Sequence, residues 1–107
     1  MATLATTSFQ SAAPPQTVLA AVHRVIAEQR YAPGPVSPDG SQVLFRTRKS
    51  VLSWELDVQV GVTPAPGGSQ VDVALDTAPG RPKALLDGRK NRKSAQRIAD
   101  EISAAIG

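Results

Sequence analysis

Near the middle of the chain, the residues from Val51 to Thr63 read VLSWELDVQVGVT and alternate apolar with polar side chains throughout. Period two over this length predicts a half-buried β-strand. The apolar parity consists of Leu52, Trp54, Leu56, Val58, Val60 and Val62. Each of these side chains contributes roughly 1.5–3 kcal/mol when fully buried, so this strand is the largest single contributor to any core.

Two neighbouring stretches repeat the alternation and predict strands on either side of the central one. Gln42 to Arg48 precedes it, and Gln70 to Thr77 follows it. A register that aligns the apolar parities places Phe45 on the core face and brings Arg46 opposite or diagonal to Glu55 on the solvent face. Residues 64–69, which read PAPGGS, predict a loop.

The two outer strands differ in their protection against pairing. Tyr31 to Ser37 contains two prolines, at 33 and 35, whose missing N–H groups can lie along one side, so this stretch predicts an edge strand. The following SPDG, residues 37–40, predicts a type I turn. Residues 1–12 are uncharged and rich in Thr and Ser, so they predict a first strand or a disordered leader. As a strand, they pair antiparallel with the 70–77 strand, opposite the proline-bearing edge.

Two stretches have the period of an amphipathic helix. The first runs from about Pro14 to Arg30, and proline suits its first turn because the missing N–H has no intrahelical partner there. The second runs from about residue 89 to residue 106. The apolar stripes are Val18, Leu19, Val22, Val25 and Ile26 in the first helix, and Ala95, Ile98, Ala99, Ile102, Ala105 and Ile106 in the second.

The 107 residues therefore predict a single α+β domain, in the order β-α-β-β-β-β-α. Its antiparallel sheet carries both helices on one face and exposes the other face to solvent. This order resembles the fold shared by TATA-box-binding protein repeats and the helix-grip proteins of the START and pollen-allergen type, over most of the chain. Leu86 to Arg92, LDGRKNR, is also similar to the Asp-Trp-Gly-basic-Asn start of the last helix in small uncharacterised bacterial proteins, without their tryptophan.

The two resemblances imply different partners. A TATA-box-type fold presents its outer sheet face to DNA, but Glu55, Asp57, Asp72 and Asp76 make this face acidic and argue against that mode. A helix-grip fold holds a small apolar ligand between the sheet and the last helix. The candidate lining residues are Phe45, Trp54, Leu56, Ile98 and Ile102. The same side chains also fit an ordinary core.

Composition limits the chemistry of the chain. The absence of cysteine excludes disulfides, thiolate metal sites and cysteine nucleophiles. The single histidine, His23, has no partner in a recognisable catalytic motif, and the outer carboxylates lack the loop spacing of a metal site. We expect a non-enzymatic protein without cofactor or metal. No apolar run reaches the roughly 18 residues of a membrane span, and the N-terminus lacks a basic signal region, so a cytoplasmic location is the expectation.

Charge is unevenly distributed along the chain. The net charge is +3, yet residues 81–97 alone carry +6. Cations near a helix start oppose the macrodipole by about 0.3–1 kcal/mol each, whereas a bound anion reverses the sign. The cations are Arg81, Lys83, Arg89, Lys90, Arg92, Lys93 and Arg97. They predict either a solvated helix end or a surface for an anionic or acidic macromolecule, which is a protein, a nucleic acid or a membrane headgroup.

The first functional hypothesis is a non-catalytic interaction module that contacts such a partner through the basic 81–97 segment. The alternative is a minimal helix-grip protein that binds a small apolar ligand. A sheet edge that is only half protected is compatible with a monomer or a weak dimer.

Overall fold

The computed structural model describes residues 4–48, 55–78 and 87–106. The elements follow the predicted order: β1 (Ala5–Ser11), α1 (Pro15–Glu28), β2 (Ala32–Val36), β3 (Gln42–Arg46), β4 (Leu56–Ala65), β5 (Gly68–Thr77) and α2 (Asp87–Ile106). The strands form one antiparallel sheet in the order β1-β5-β4-β3-β2. The predicted α+β fold class is confirmed. Residues 51–54 of the predicted central strand lie outside the described residues.

The first strand forms at the predicted place. β1 pairs antiparallel with β5 in an unbroken register from Ala5 opposite Leu75 to Ser11 opposite Ser69. The leader alternative is therefore wrong for residues 5–11. Because each neighbouring pair in the sheet is antiparallel, β1 and β2 run parallel at opposite edges. The chain between them, which contains α1, must cross the whole sheet.

Helix α1 begins with Pro15 in its first turn, and Pro14 provides the first carbonyl acceptor. It ends in a Schellman motif: the N–H of Tyr31 donates to the Ile26 carbonyl at 2.9 Å, and the N–H of Arg30 donates to the Ala27 carbonyl at 3.2 Å. Arg30 has a φ of +58°. A non-glycine residue in this left-handed region costs roughly 1–2 kcal/mol, which the motif and its neighbours must offset.

Strand β2 is the edge strand that its prolines predict. All five of its residues are exposed, and its register against β3 shifts by one residue between Pro33 and Val36. In the turn that follows, Gly40 has a φ of +79° and its N–H donates to the Ser37 carbonyl at 2.8 Å. Hydrogen bonds from the Ser37 hydroxyl, then from the N–H and hydroxyl of Ser41, lower the pKa of Asp39 to about 2.

The predicted register of β3 and β4 is confirmed, since Phe45 lies opposite Val58. Arg46 lies directly opposite Asp57, and its guanidinium binds that carboxylate at 2.6 Å, so Glu55 is the diagonal neighbour. The prediction of a loop over residues 64–69 is wrong. Strand β4 continues to Ala65 and β5 begins at Gly68. Only two residues separate them, because proline at position 66 and glycine with a φ of +77° at position 67 fit a tight type II turn.

Both helices pack on one face of the sheet, as predicted. Helix α2 contacts β1 and β5, α1 contacts β4 and β5, and the helices contact each other. The largest fully buried side chains come from both helices and three strands: Val18, Val22, Val43, Val60, Val62, Val71, Val73, Leu75, Ile98 and Ile102. Ala95 and Ala99 are buried in the same core, which lets the backbone of α2 approach the sheet closely.

Candidate functional site

A row of inner-face residues crosses the sheet at the end where β5 leaves it and α2 begins. Thr47, Leu56 and Thr77 are neighbours in this row: the N–H of Leu56 donates to the Thr47 hydroxyl at 2.9 Å, and Leu56 lies opposite Thr77. All three side chains are buried. Thr47 and Thr77 therefore introduce hydroxyl groups into an interior that is built mainly from aliphatic side chains.

Helix α2 adds a fourth member to this row. Asn91 lies on the buried side of α2 with only 4% of its surface exposed, and its Nδ2 donates to the Thr77 hydroxyl at 3.4 Å. This distance is at the long limit for a hydrogen bond. A buried amide needs hydrogen-bonding partners to offset its desolvation, and among the described residues no buried side-chain nitrogen or oxygen lacks one. We call Thr47, Leu56, Thr77 and Asn91 the helix-start row.

The described cations of the basic segment surround the same end of α2. Arg89, Lys90, Arg92, Lys93 and Arg97 are all exposed, whereas Arg81 and Lys83 lie outside the described residues. Arg89, Lys93 and Arg97 are four residues apart, so they share one side of the helix. Arg92 is three residues after Arg89 and one turn before Gln96, so it lies next to this row on the helix surface. The described cations therefore form one continuous basic surface over the first turns of α2.

Arg97 differs from the others because it has neighbours within the protein. The hydroxyl of Tyr31 donates to Glu101 Oε1 at 3.0 Å, and the ring of Tyr31 stacks on Phe45 with 5.4 Å between centroids. Burial and the Glu101 carboxylate raise the pKa of Tyr31 to about 12, and the Arg97 guanidinium opposes this shift. Arg97 therefore already interacts with a side chain of the protein, which weakens its attraction for an external anion.

The candidate lining residues of the helix-grip hypothesis lie in the core. Phe45, Leu56, Ile98 and Ile102 are at most 4% exposed and belong to one hydrophobic cluster. Trp54 lies outside the described residues. Tyr31 packs against this cluster and connects β3 to α2. The four described candidates are therefore brought together, as the hypothesis requires, and their burial is equally consistent with a solid core. They are Phe45, Leu56, Ile98 and Ile102.

The outer face of the sheet carries the predicted carboxylates. Asp72 is exposed, Glu55, Asp57 and Asp76 are partly exposed, and Asp57 lies directly opposite Asp76. Among residues 4–48, 55–78 and 89–106, no group of His, Cys, Asp or Glu side chains is arranged to hold a metal ion. A surface cleft of about 370 Å³ runs beside the Arg46–Asp57 pair, between β2 and β3, and Leu44 lines it with 38% of its surface exposed. The apolar part of this face was not predicted.

His23 is exposed on α1, at the flank of the helix where the apolar stripe ends. Sequence reasoning missed Tyr31 and Asn91. The signal for Asn91 was available, because position 91 is four residues before Ala95 and thus falls on the apolar stripe. Tyr31 gave no such signal, since its partners Phe45 and Glu101 are brought to it only by the tertiary fold.

No protein-family model matches the chain, and no curated protein matches its sequence. Solved structures do match. The crystal structure of Ara h 8.0201, of the pollen-allergen type, superposes with a TM-score of 0.56 at 12% sequence identity, and the match covers 96% of this chain and 96% of that chain. A likeness at this identity establishes the fold alone.

The helix-grip resemblance is therefore supported at the level of the fold: an antiparallel sheet packed against a long C-terminal helix. The likeness to TATA-box-binding protein repeats and to small bacterial proteins stays a prediction. Neither described helix is long and apolar enough to cross a membrane.

Proposed function

We propose that this protein is a non-catalytic binding module whose ligand has an apolar body and an anionic group. The observation that carries the proposal is the position of the helix-start row. Its buried hydrogen-bonding groups lie beside the exposed cations at the start of α2. A module that binds by charge alone needs only the cations, and an apolar carrier needs no buried amide.

The chemistry of the row suits each part of such a ligand. Leu56 and the neighbouring Phe45 offer apolar contact, while the Asn91 amide and the two threonine hydroxyls offer hydrogen bonds. Arg89, Lys90 and Lys93 supply positive charge at the surface of the same helix turns. The helix macrodipole adds positive potential there, so an anion offsets the repulsion among the cations.

A second candidate is an anionic macromolecule, which is a nucleic acid, an acidic protein surface or a membrane headgroup layer. The shared side of Arg89 and Lys93 favours it, because exposed cations four residues apart present a continuous charged row. Under this proposal the buried members of the helix-start row are structural, and only the exposed cations contact the partner.

The first experiment is an amide NMR titration of the full chain with dodecanoate, and with dodecylammonium as the charge-reversed control. The proposal predicts shifts at Thr77, Asn91 and Ile98 with dodecanoate and much weaker binding of dodecylammonium. Asn91→Leu keeps the branched shape of the side chain but removes the amide, and should weaken dodecanoate binding about tenfold or more if the amide reaches the charged group. Ser103→Ala, at an exposed position of the same helix, is the matched control.

Two outcomes separate the candidates. If dodecanoate produces no shift at the helix-start row, the apolar-ligand proposal fails. A DNA duplex or an anionic vesicle that shifts Arg89 and Lys93, with binding that weakens steeply as salt is added, then supports the macromolecular partner. Arg89→Gln together with Lys93→Gln should weaken either mode, by roughly two- to fivefold per cation for a small ligand. Only the first mode also responds to Asn91→Leu.

A further inference from the structure

The two edges of the sheet are built differently. The β2 edge carries two prolines and a register shift, both of which block further strand pairing. Strand β1 has neither: its seven residues ATTSFQS contain no proline and no charge, and they hold an unbroken register with β5. Within the described part of the chain, no strand pairs with the outer edge of β1. A long, regular and uncharged edge is a template for another strand.

Helix α2 lies above this edge and presents a charge pattern beside it. The Thr7 hydroxyl donates to Gln96 Oε1 at 3.4 Å, which places Gln96 next to the middle of β1. Arg92 lies one turn before Gln96 on α2, and Asp100 lies one turn after it, where it accepts a hydrogen bond from Gln96 Nε2 at 2.9 Å. All three are exposed. The flank of α2 on the β1 side thus carries cations at its start, where Arg89 and Arg92 lie, the neutral Gln96 beside the centre of the strand, and an acid after it.

We propose that a second copy of this chain pairs with the free edge of β1, about a two-fold axis near Thr7 and Ser8. The two β1 strands then run antiparallel and join both sheets into one. The same axis sets the two α2 helices antiparallel, so Arg92 of each copy faces Asp100 of the other and the two Gln96 side chains meet near the axis. The pattern is complementary to itself only in this antiparallel arrangement.

The spacing of the elements permits these contacts. Neighbouring strands lie about 4.8 Å apart, so the axis passes roughly 2.4 Å beyond β1. Helix α2 packs on both β1 and β5, which places it about 5 Å from the axis and about 10 Å from its symmetry mate. Helices at this separation are within side-chain reach of each other. Along Arg92, Gln96 and Asp100, a uniformly acidic or basic partner would repel either Asp100 or Arg92, whereas a second copy satisfies both.

The test is the mass of the full chain in sedimentation equilibrium, with charge swaps on α2. The wild type should be a dimer, and Arg92→Glu or Asp100→Arg alone should raise the dimer dissociation constant about tenfold or more, since each places two like charges across the axis. The double swap, Arg92→Glu with Asp100→Arg, should restore dimerisation to within about threefold of the wild type. The double swap also places the acid near the start of α2 and the cation near its end, which the helix macrodipole favours, so α2 itself is not weakened. Glu28→Arg on α1 is the matched control and should leave the mass unchanged.

A second pair of variants locates the strand contact. Ser8→Lys puts two ammonium groups near the axis on the outer sheet face and should produce a monomer, whereas Thr63→Lys, exposed on β4, should not. A wild type that stays monomeric at every accessible concentration overturns the proposal. A dimer that survives Ser8→Lys, or single swaps that the double swap does not rescue, overturns its location. Neither Ser8 nor Asp100 belongs to the helix-start row or to the predicted cations, so the results for Ser8→Lys and Asp100→Arg are independent of ligand binding.

Discussion

Tyr31 is the only tyrosine in the chain, so its ionisation can be followed directly through the ultraviolet absorbance of tyrosinate. Burial is the largest cause of its raised pKa, and the Glu101 carboxylate, which accepts its hydrogen bond, is the second. We predict that the native protein titrates with a tyrosine pKa of about 12, against 10.0 for a free side chain. Unfolding in denaturant should return the pKa to its ordinary value.

The shift also predicts how stability depends on pH. A folded-state pKa above the unfolded one means that the native state holds the proton more tightly, so the contribution is complete below pH 10 and is lost as pH rises towards 12. Two pKa units correspond to about 2.7 kcal/mol. Because the Tyr31 side chain is only partly buried, solvent screening reduces the expected loss to roughly 1 kcal/mol.

Variants separate the causes. Glu101→Gln keeps a hydrogen-bond acceptor but removes the charge, so the pKa of Tyr31 should fall while staying above 10, because burial remains. Arg97→Gln removes the opposing cation and should raise the pKa further. Tyr31→Phe should lose the difference in stability between pH 10 and pH 12 that the wild type shows in urea unfolding. A native pKa near 10, or an unchanged value in Glu101→Gln, would refute the contact between Tyr31 and Glu101.

Three further predictions concern stability and can be measured by urea unfolding. Ile98→Ala removes a fully buried side chain between α2 and the sheet and should destabilise the fold by about 2–5 kcal/mol, while Ser103→Ala on the exposed side should change it by less than about 0.5 kcal/mol. Gly68→Ala should destabilise the fold by more than about 2 kcal/mol, because a Cβ there collides with the backbone of Ser11 and Ala12. Gly40→Ala is its control: the added Cβ meets no atom within 4 Å, so the variant should lose only about 1–2 kcal/mol because of its positive φ. Arg30→Gly should be neutral or stabilising by up to about 1 kcal/mol, since glycine adopts the left-handed conformation without strain, and a loss of stability would show that the Arg30 side chain has a role of its own.

Periodicity predicted the elements because burial on one face acts residue by residue. The alternation in Gln42 to Arg46 and in Val71 to Leu75 was enough to assign the inner face, and Phe45 duly lies opposite Val58. The prolines of β2 were equally decisive, since a missing N–H excludes a central strand wherever the rest of the chain lies. These are local properties, and local properties can be derived from sequence alone.

The prediction of a loop over residues 64–69 failed because the composition of this stretch does not determine where the strands end. A stretch rich in proline and glycine fits a long loop and a tight turn equally well, and the pairing of Pro64 with Ser69 and of Ala65 with Gly68 decides between them. That pairing depends on the register of the two long strands. The pairing of β4 with β5 therefore determines where these strands end, and the composition of the turn is merely compatible with it.

The candidate site divides in the same way. The exposed cations of α2 were predicted, since a run of basic residues on a helix flank needs no tertiary information. The helix-start row was not predicted, because Thr47, Thr77 and Asn91 are distant in sequence and look like ordinary polar residues of separate elements. Only their burial and the 3.4 Å contact between Asn91 and Thr77 distinguish them.

By itself the sequence determined the order of strands and helices, the face of each that is buried and the edge that prolines protect, because each follows from side-chain polarity at a fixed spacing. Tertiary structure decided which distant residues meet: Tyr31 with Glu101, Asn91 with Thr77, and Gln96 with the middle of β1. These meetings depend on how α2 is placed over the sheet. That placement is set by the packing of many apolar contacts together, which no short stretch of the chain contains.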